Sequence, residues 1–293
     1  MSAAKRSPAA PVPGAVTPEE ALHFAAVARE IMSQPLTETQ GQAGIGTLRE
    51  KRLHLVLKTY ICPDVSCHER RLSPGNRRDG MVADVLTEDG RIYEIQTGGF
   101  YPLKKKIAWY LENTDCPVTV VHPLPAVKYL SWISPTDGQI LGRRKSPRRG
   151  KVTDVAPQLY WLSDFVGNPR FSLCLLFLDM EEYRFQDGWG RDGKRGSNRY
   201  ERFPTALRGR VELTTPAQYA ACFLPPSLPT TPFTAAQYAT ATGIRGKATY
   251  GVLHLLVRLG VLQQAEKAGR SQCFLRASAG KPSETAPSPI CPE

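Results

Sequence analysis

Two carboxylates and an amide stand close together between Met81 and Gln96: Asp84, Glu94 and Gln96. The segment reads MVADVL, then TEDG, then RIYEIQ. Runs rich in Val, Ile and Tyr on either side of an Asp-Gly pair spell a β-hairpin. Thr87-Glu88-Asp89-Gly90 suits a type I turn with Gly90 in the left-handed conformation, the three-residue loop that carries a G1 bulge. That register sets Thr87 opposite Arg91, Val85 opposite Tyr93, and Asp84 opposite Glu94. Cross-strand partners share a face, as do alternate residues of one strand, so Asp84, Glu94 and Gln96 project together. Val82, Leu86 and Ile92 are their neighbours. Two carboxylates among apolar residues repel each other and lose hydration, so they require a proton or a cation. A hard divalent ion, Mg2+ or Mn2+, held by Asp84 and Glu94 with its own waters meets that need.

The surrounding segments give the hairpin a frame. Thr47–Tyr60 reads as a helix and Ser66–Leu72 as a weakly patterned first strand. Pro102–Glu112 is a helix with Leu103, Ile107, Tyr110 and Leu111 on one stripe, and Val118–Val121 is a buried strand. Strand, helix and strand at this spacing favour a right-handed parallel crossover.

An Asp, a short gap, then Glu-x-Gln on the next strand resembles the metal site of the PD-(D/E)XK nucleases, the superfamily of restriction endonucleases and junction resolvases. The resemblance implies a core of helix, three strands, helix and strand, and Mg2+-dependent hydrolysis of DNA phosphodiesters. It assigns Asp84 and Glu94 as the metal-binding acids and matches Glu50 to the acid that many members place on the first helix. Thr47-x-x-Glu50 is equally the spacing of a capping box. Gln96 stands where the family usually has Lys, which orients or activates the attacking water. Lys104 or Lys105, one turn into the following helix, is the expected source of the missing charge, although a Lys-Lys-Lys run also suits a solvated face.

The 293 residues carry a formal net charge of +11, and the basic residues are clustered. LGRRKSPRRGK holds Arg143, Arg144, Lys145, Arg148, Arg149 and Lys151 without an acid. Arg184–Arg210 mixes basic residues, Arg195 among them, with Trp189, Tyr200 and Phe203. Guanidinium groups grip phosphates and aromatic rings stack on bases, so the expected partner is DNA, bound partly by arginine-rich loops. A localisation signal would account for the first run alone.

Past Arg210, Thr215–Leu224 and AAQYATA after Thr234 read as short helices, and Lys247–Leu259 as a longer one. Ala248, Val252, Leu255, Leu256 and Leu259 fall at core-facing spacing. Val261–Gln264, the turn Lys267–Arg270 and Gln272–Arg276 make a hairpin with a basic tip. Three helices and a basic-tipped hairpin resemble a winged helix-turn-helix. Arg245, Lys247, Thr249, Tyr250 and His254 then lie toward the exposed start of the recognition helix, with Lys267 and Arg270 at the wing.

The expected fold class is α/β: a restriction-endonuclease-like core with a mixed central sheet flanked by helices, plus a C-terminal winged-helix domain. The expected organisation is a disordered tail (1–16), an N-terminal helix and linker (17–41), the nuclease-like domain (42–210), the winged helix (211–277) and a second disordered tail (278–293). Such an arrangement resembles bacterial proteins of unassigned function. No apolar run reaches bilayer length, and the seven cysteines show no repeat spacing. Cys62, Cys67, His68, Cys116 and His122 are poorly spaced for zinc. These features predict a cytoplasmic protein with no membrane partner, and they are compatible with a homodimer.

Overall fold

A computed structural model describes residues 14–33, 48–73, 80–134, 136–185 and 199–277. Most of the two expected tails, the 34–47 linker and Arg195 lie outside the described residues. The chain is α/β, with a mixed central sheet and helices flanking it. In chain order the first elements are α1 (Pro18–Ser33), α2 (Leu48–Ile61), β1 (His68–Leu72), β2 (Met81–Leu86) and β3 (Ile92–Ile95). Next come α3 (Leu103–Asn113), β4 (Val118–Ile133), β5 (Ile140–Lys145), α4 (Ala156–Leu162), β6 (Phe171–Phe185) and β7 (Arg199–Leu213). The chain ends with α5 (Pro216–Phe223), β8 (Phe233–Thr234), α6 (Ala235–Thr242), α7 (Lys247–Arg258), β9 (Leu262–Ala268) and β10 (Ser271–Arg276).

The seven-stranded sheet runs β1-β2-β3-β4-β6-β7, with β5 paired to β4. β1, β2 and β3 form an antiparallel meander, and β3 pairs parallel with β4 through the α3 crossover. Thr119 bonds Ser172, and Lys128 bonds Glu182, at sequence offsets of 53 and 54, so β4 and β6 are also parallel. Asp179 meets Arg208 while Tyr183 stacks on Phe203, partners stepping in opposite directions, as antiparallel β6 and β7 require. Buried parallel strands read as nearly continuous apolar runs, and Leu173–Leu178 is one.

By compactness the chain divides into two units. The first takes Met1–Val65, His122–Lys151 and Leu175–Val211. Its helical part buries Phe24, Val27 and Ile31 of α1 with Leu53, Val56 and Leu57 of α2. The second takes Ser66–Val121, Val152–Cys174 and Glu212–Glu293, so the hairpin and the C-terminal helices belong to one unit. In it, Ala83, Val85, Ile92, Ile95, Val118 and Val120 of the strands are buried, as are Leu103 and Ile107 of α3.

Several local expectations change. The first half of the arginine run expected to be a loop is strand β5: Tyr129 pairs with Lys145, Leu130 with Arg144 and Ser131 with Arg143. Exposed β5 lacks apolar alternation, and its partner β4 supplies the ladder instead. β4 itself is a single 16-residue strand that absorbs KYLSWI. In α7, Thr249 is buried rather than exposed, because its hydroxyl donates to Ile244 O at 2.9 Å. Leu253 is buried as well, because α4 packs on α7 in addition to the α5 and α6 contacts.

Candidate functional site

The hairpin forms through its turn. Gly90 takes φ +77°, its N–H donates to Thr87 O at 2.9 Å, and Thr87 N–H donates to Arg91 O at 3.0 Å. Asp89 adds a tether by accepting from Thr87 Oγ1 at 2.5 Å and Arg91 Nε at 2.9 Å. A Cβ at Gly90 would meet no neighbour within 4 Å, so its positive φ, not crowding, is what demands glycine there. The ladder then pairs Leu86 with Ile92 and Val85 with Tyr93.

Asp84 Oδ2 accepts the backbone N–H of Ile95 at 2.8 Å, which fixes its carboxylate across the strand gap. Glu94 is 1 % exposed, and α3 satisfies both of its oxygens. Lys106 Nζ donates to Oε2 at 2.6 Å and Tyr110 Oη donates to Oε1 at 2.8 Å. Lys106 and Tyr110 are one helical turn apart, so a single face of α3 delivers an ammonium and a phenol to one carboxylate. Burial, reinforced by the charge of Asp84, pushes the Glu94 carboxyl from its ordinary 4.5 up to about 7, against the opposing pull of Lys106 and Tyr110. Burial, together with the Glu94 charge, pushes the Tyr110 phenol well above its ordinary range.

Other residues expected in the site stand elsewhere. Lys104 pairs with Asp164 at 2.9 Å and is about half exposed; Lys105 is exposed. The ammonium at the acids is therefore Lys106. Gln96 extends the parallel ladder, its N–H donating to Val121 O at 2.9 Å. Its side-chain amide donates to Gly99 O at 2.6 Å and so closes the turn into α3. Glu50 lies in the first turn of α2, in the other compact unit, and its side chain is outside the described residues. Among the described residues no group of three or more His, Cys, Asp or Glu gathers into a metal-sized cluster.

The basic positions divide between the two units. In the first, Arg143 lies 3.8 Å over the Tyr129 ring and pairs with Glu181, while Arg144 sits 5.2 Å from the Trp132 ring. Arg143, Arg144, Lys145, Arg148 and Arg149 are exposed, as are Ile140 and Leu141 on the same strand. In the second, Arg245, Lys247, Tyr250 and His254 are exposed along α7 and the turn before it, and Lys267 and Arg270 flank the β9–β10 turn. No helix among the described residues is long and apolar enough to cross a membrane.

Lys106 and Tyr110 were missed because helical spacing alone does not say which member of a Lys-Lys-Lys run faces a strand. Tyr110 itself carries the signal. It sits on the apolar stripe of α3, and the residue one turn before it is Lys106.

The chain is 31 % identical over 147 residues to an uncharacterized protein of Treponema pallidum (strain Nichols), a stretch covering 50 % of this chain and 55 % of that protein. The chain thus spans about half the length of the curated relative it matches. No solved structure matches it. A protein-family match covers residues 51–214, which takes in Asp84, Glu94, Lys106, Tyr110 and β5 and leaves out Glu50 and α5–α7. By that match the chain belongs to the family described as Domain of unknown function (DUF8091).

Proposed function

We propose that the protein is a cytoplasmic DNA-binding phosphodiesterase whose working centre is Asp84, Glu94 and Lys106. The observation that carries this reading is the buried Glu94 carboxylate on β3, which has the Lys106 ammonium 2.6 Å away and feels the charge of Asp84. Asp84 and Glu94 are hard oxygen donors of the class that Mg2+ or Mn2+ takes, and they would hold the ion. When bound, such an ion polarises a phosphate and makes its water a better nucleophile.

The chain's own residues have separable tasks in this reading. The Ile95 N–H and the Tyr110 hydroxyl orient the two carboxylates, since each bonds one of their oxygens. Lys106 is a quarter exposed, so its ammonium can turn from Glu94 to a phosphate oxygen or to an attacking water. It fills the role that a restriction-endonuclease-like core usually gives to the lysine replaced here by Gln96. The order α2, β1, β2, β3, α3, β4 fits such a core. Helices α5–α7, with β8, β9 and β10 beside them, fit a winged helix-turn-helix that holds duplex DNA through Arg245, Lys247 and Tyr250.

A second reading, a nuclease-like fold that binds DNA without cutting it, is favoured by one observation: both Glu94 oxygens are already occupied by Lys106 and Tyr110. Incubating supercoiled plasmid and single-stranded, duplex and branched oligonucleotides with Mg2+ or Mn2+ separates the two. Wild type should cleave at least one substrate and Asp84→Ala none. Wild type inert on all of them with both metals would leave only the binding module.

A further inference from the structure

An aromatic cluster that the proposed chemistry does not use stands at the end of the loop leaving β3. Tyr101 is 64 % exposed and Tyr160 is 60 % exposed, and neither is covered by the core. Trp161 lies between them, edge-on to Tyr101 at 4.8 Å and to Tyr160 at 5.1 Å. Large exposed rings ordered against one another offer flat apolar faces to solvent, which is the surface an unpaired base covers.

The cluster is tied to the acid site through backbone and amide bonds, all within one compact unit. Gln96, two residues after Glu94, closes the Gln96–Gly99 turn. Phe100 N–H then donates to Gln158 Oε1 at 3.0 Å, pinning α4 to that turn. Tyr160 and Trp161 follow Gln158 on the same short helix, and Tyr101 stands in the turn before α3, where Lys104 N–H donates to its carbonyl at 3.2 Å. Lys106 lies in the first turn of α3, about 4.5 Å along the axis from Leu103. The intervening Gly98 and Gly99 are exposed. Charge agrees with a polyanion: Lys104 and Arg258 together hold Asp164, and Lys105 beside them is exposed.

We infer that Tyr101, Tyr160 and Trp161 form a stacking platform for unpaired nucleobases, which makes single-stranded DNA, or a single-stranded end of a larger substrate, the ligand of this site. Paired bases hide their faces inside the duplex, so a platform of ring faces and edges discriminates against fully paired DNA. The inference rests on the proposed DNA-processing role, and its test reads binding without divalent metal, so that lack of cleavage leaves its outcome standing.

The experiment measures fluorescence anisotropy of a labelled fifteen-nucleotide oligo(dT), an abasic strand of equal length and a duplex of equal length. Wild type should bind oligo(dT) more tightly than the abasic strand. Tyr101→Leu/Tyr160→Leu should lose about 10- to 100-fold in oligo(dT) affinity, as expected for one or more lost stacks of 1–3 kcal/mol each. Its duplex affinity should change less than about twofold, and Tyr101→Phe/Tyr160→Phe, which keeps the rings, should bind as wild type does. Equal wild-type affinity for oligo(dT) and the abasic strand, which needs no variant to fold, overturns the inference. So does an undiminished oligo(dT) affinity in the leucine variant. Loss of duplex binding by all proteins would sink the winged-helix role and leave the platform intact.

Discussion

Glu94 sits 1 % exposed beside Asp84, and that burial has a thermodynamic signature apart from any activity. Its carboxyl is raised from 4.5 to about 7 in the folded chain. A raised folded value means the protonated form favours folding at low pH, and this contribution is lost as pH climbs from about 4.5 through about 7. The loss amounts to roughly 3 kcal/mol. Glu94→Gln cannot ionise, so its urea stability should gain on wild type by up to that amount between pH 4.5 and pH 8. A gap that stays constant over the range would contradict the assignment. Asp84→Asn removes the second cause of the shift, so the Glu94 carboxyl followed by 13C NMR should titrate at lower pH than in wild type. Asp84→Ala also strands the buried-strand N–H of Ile95, at a cost of about 1–3 kcal/mol. The Val85–Tyr93 and Leu86–Ile92 pairs were legible from sequence because a turn type fixes a register locally. Lys106 was not, since its position at Glu94 depends on how α3 lies on the strands.

Among the described residues, the β4–β5 ribbon and α7 each carry exposed basic side chains, and they differ in how much of their charge is available. Arg143 is engaged by Glu181, which holds its guanidinium in place and offsets its charge. Arg144 rests against Trp132, and Arg148 and Arg149 follow in the exposed stretch after β5. Arg144→Ala should therefore lower the slope of log affinity against log salt by about 0.9 if it meets one phosphate of a duplex. Arg143→Ala should change it less, and equal slopes for both would show that Glu181 does not compete with phosphate. Sequence patterning missed this strand because an arginine run has no apolar alternation, and its partner lies in the KYLSWI part of β4. Helices α5 and α6 were legible because Thr215 and Thr234 each close a capping box, with Gln218 and Gln237, and α6 ends at Gly243 with φ +75°. Burial of Leu253 was hidden because α4, far away in sequence, covers a second side of α7.

For the whole molecule, the α/β class with a mixed, helix-flanked sheet was readable from the alternation of apolar runs and helical stripes, whereas the division into compact units was not. Residues 152–174 and 212–277 fall in one unit with the hairpin through non-local contacts such as α4 on α7, and chain order carries no sign of them. In the proposed function, duplex affinity belongs to Arg245 and Lys247 and chemistry to the cluster at Glu94. Their double alanine variant should lose duplex affinity and salt dependence while keeping the Glu94 titration of wild type. A Glu94 titration altered along with affinity would mean that the two regions are coupled. The most direct test of the central claim compares two lysines of the same helix in single-turnover DNA cleavage with saturating Mn2+. Lys106 donates to Glu94, and Lys104 pairs with the half-exposed Asp164. Lys106→Met should lower the cleavage rate at least about 100-fold, the usual scale for a positioned acid–base group, and Lys104→Met should stay within about twofold of wild type. Equal rates for the two variants, or a larger loss in Lys104→Met, would contradict the account.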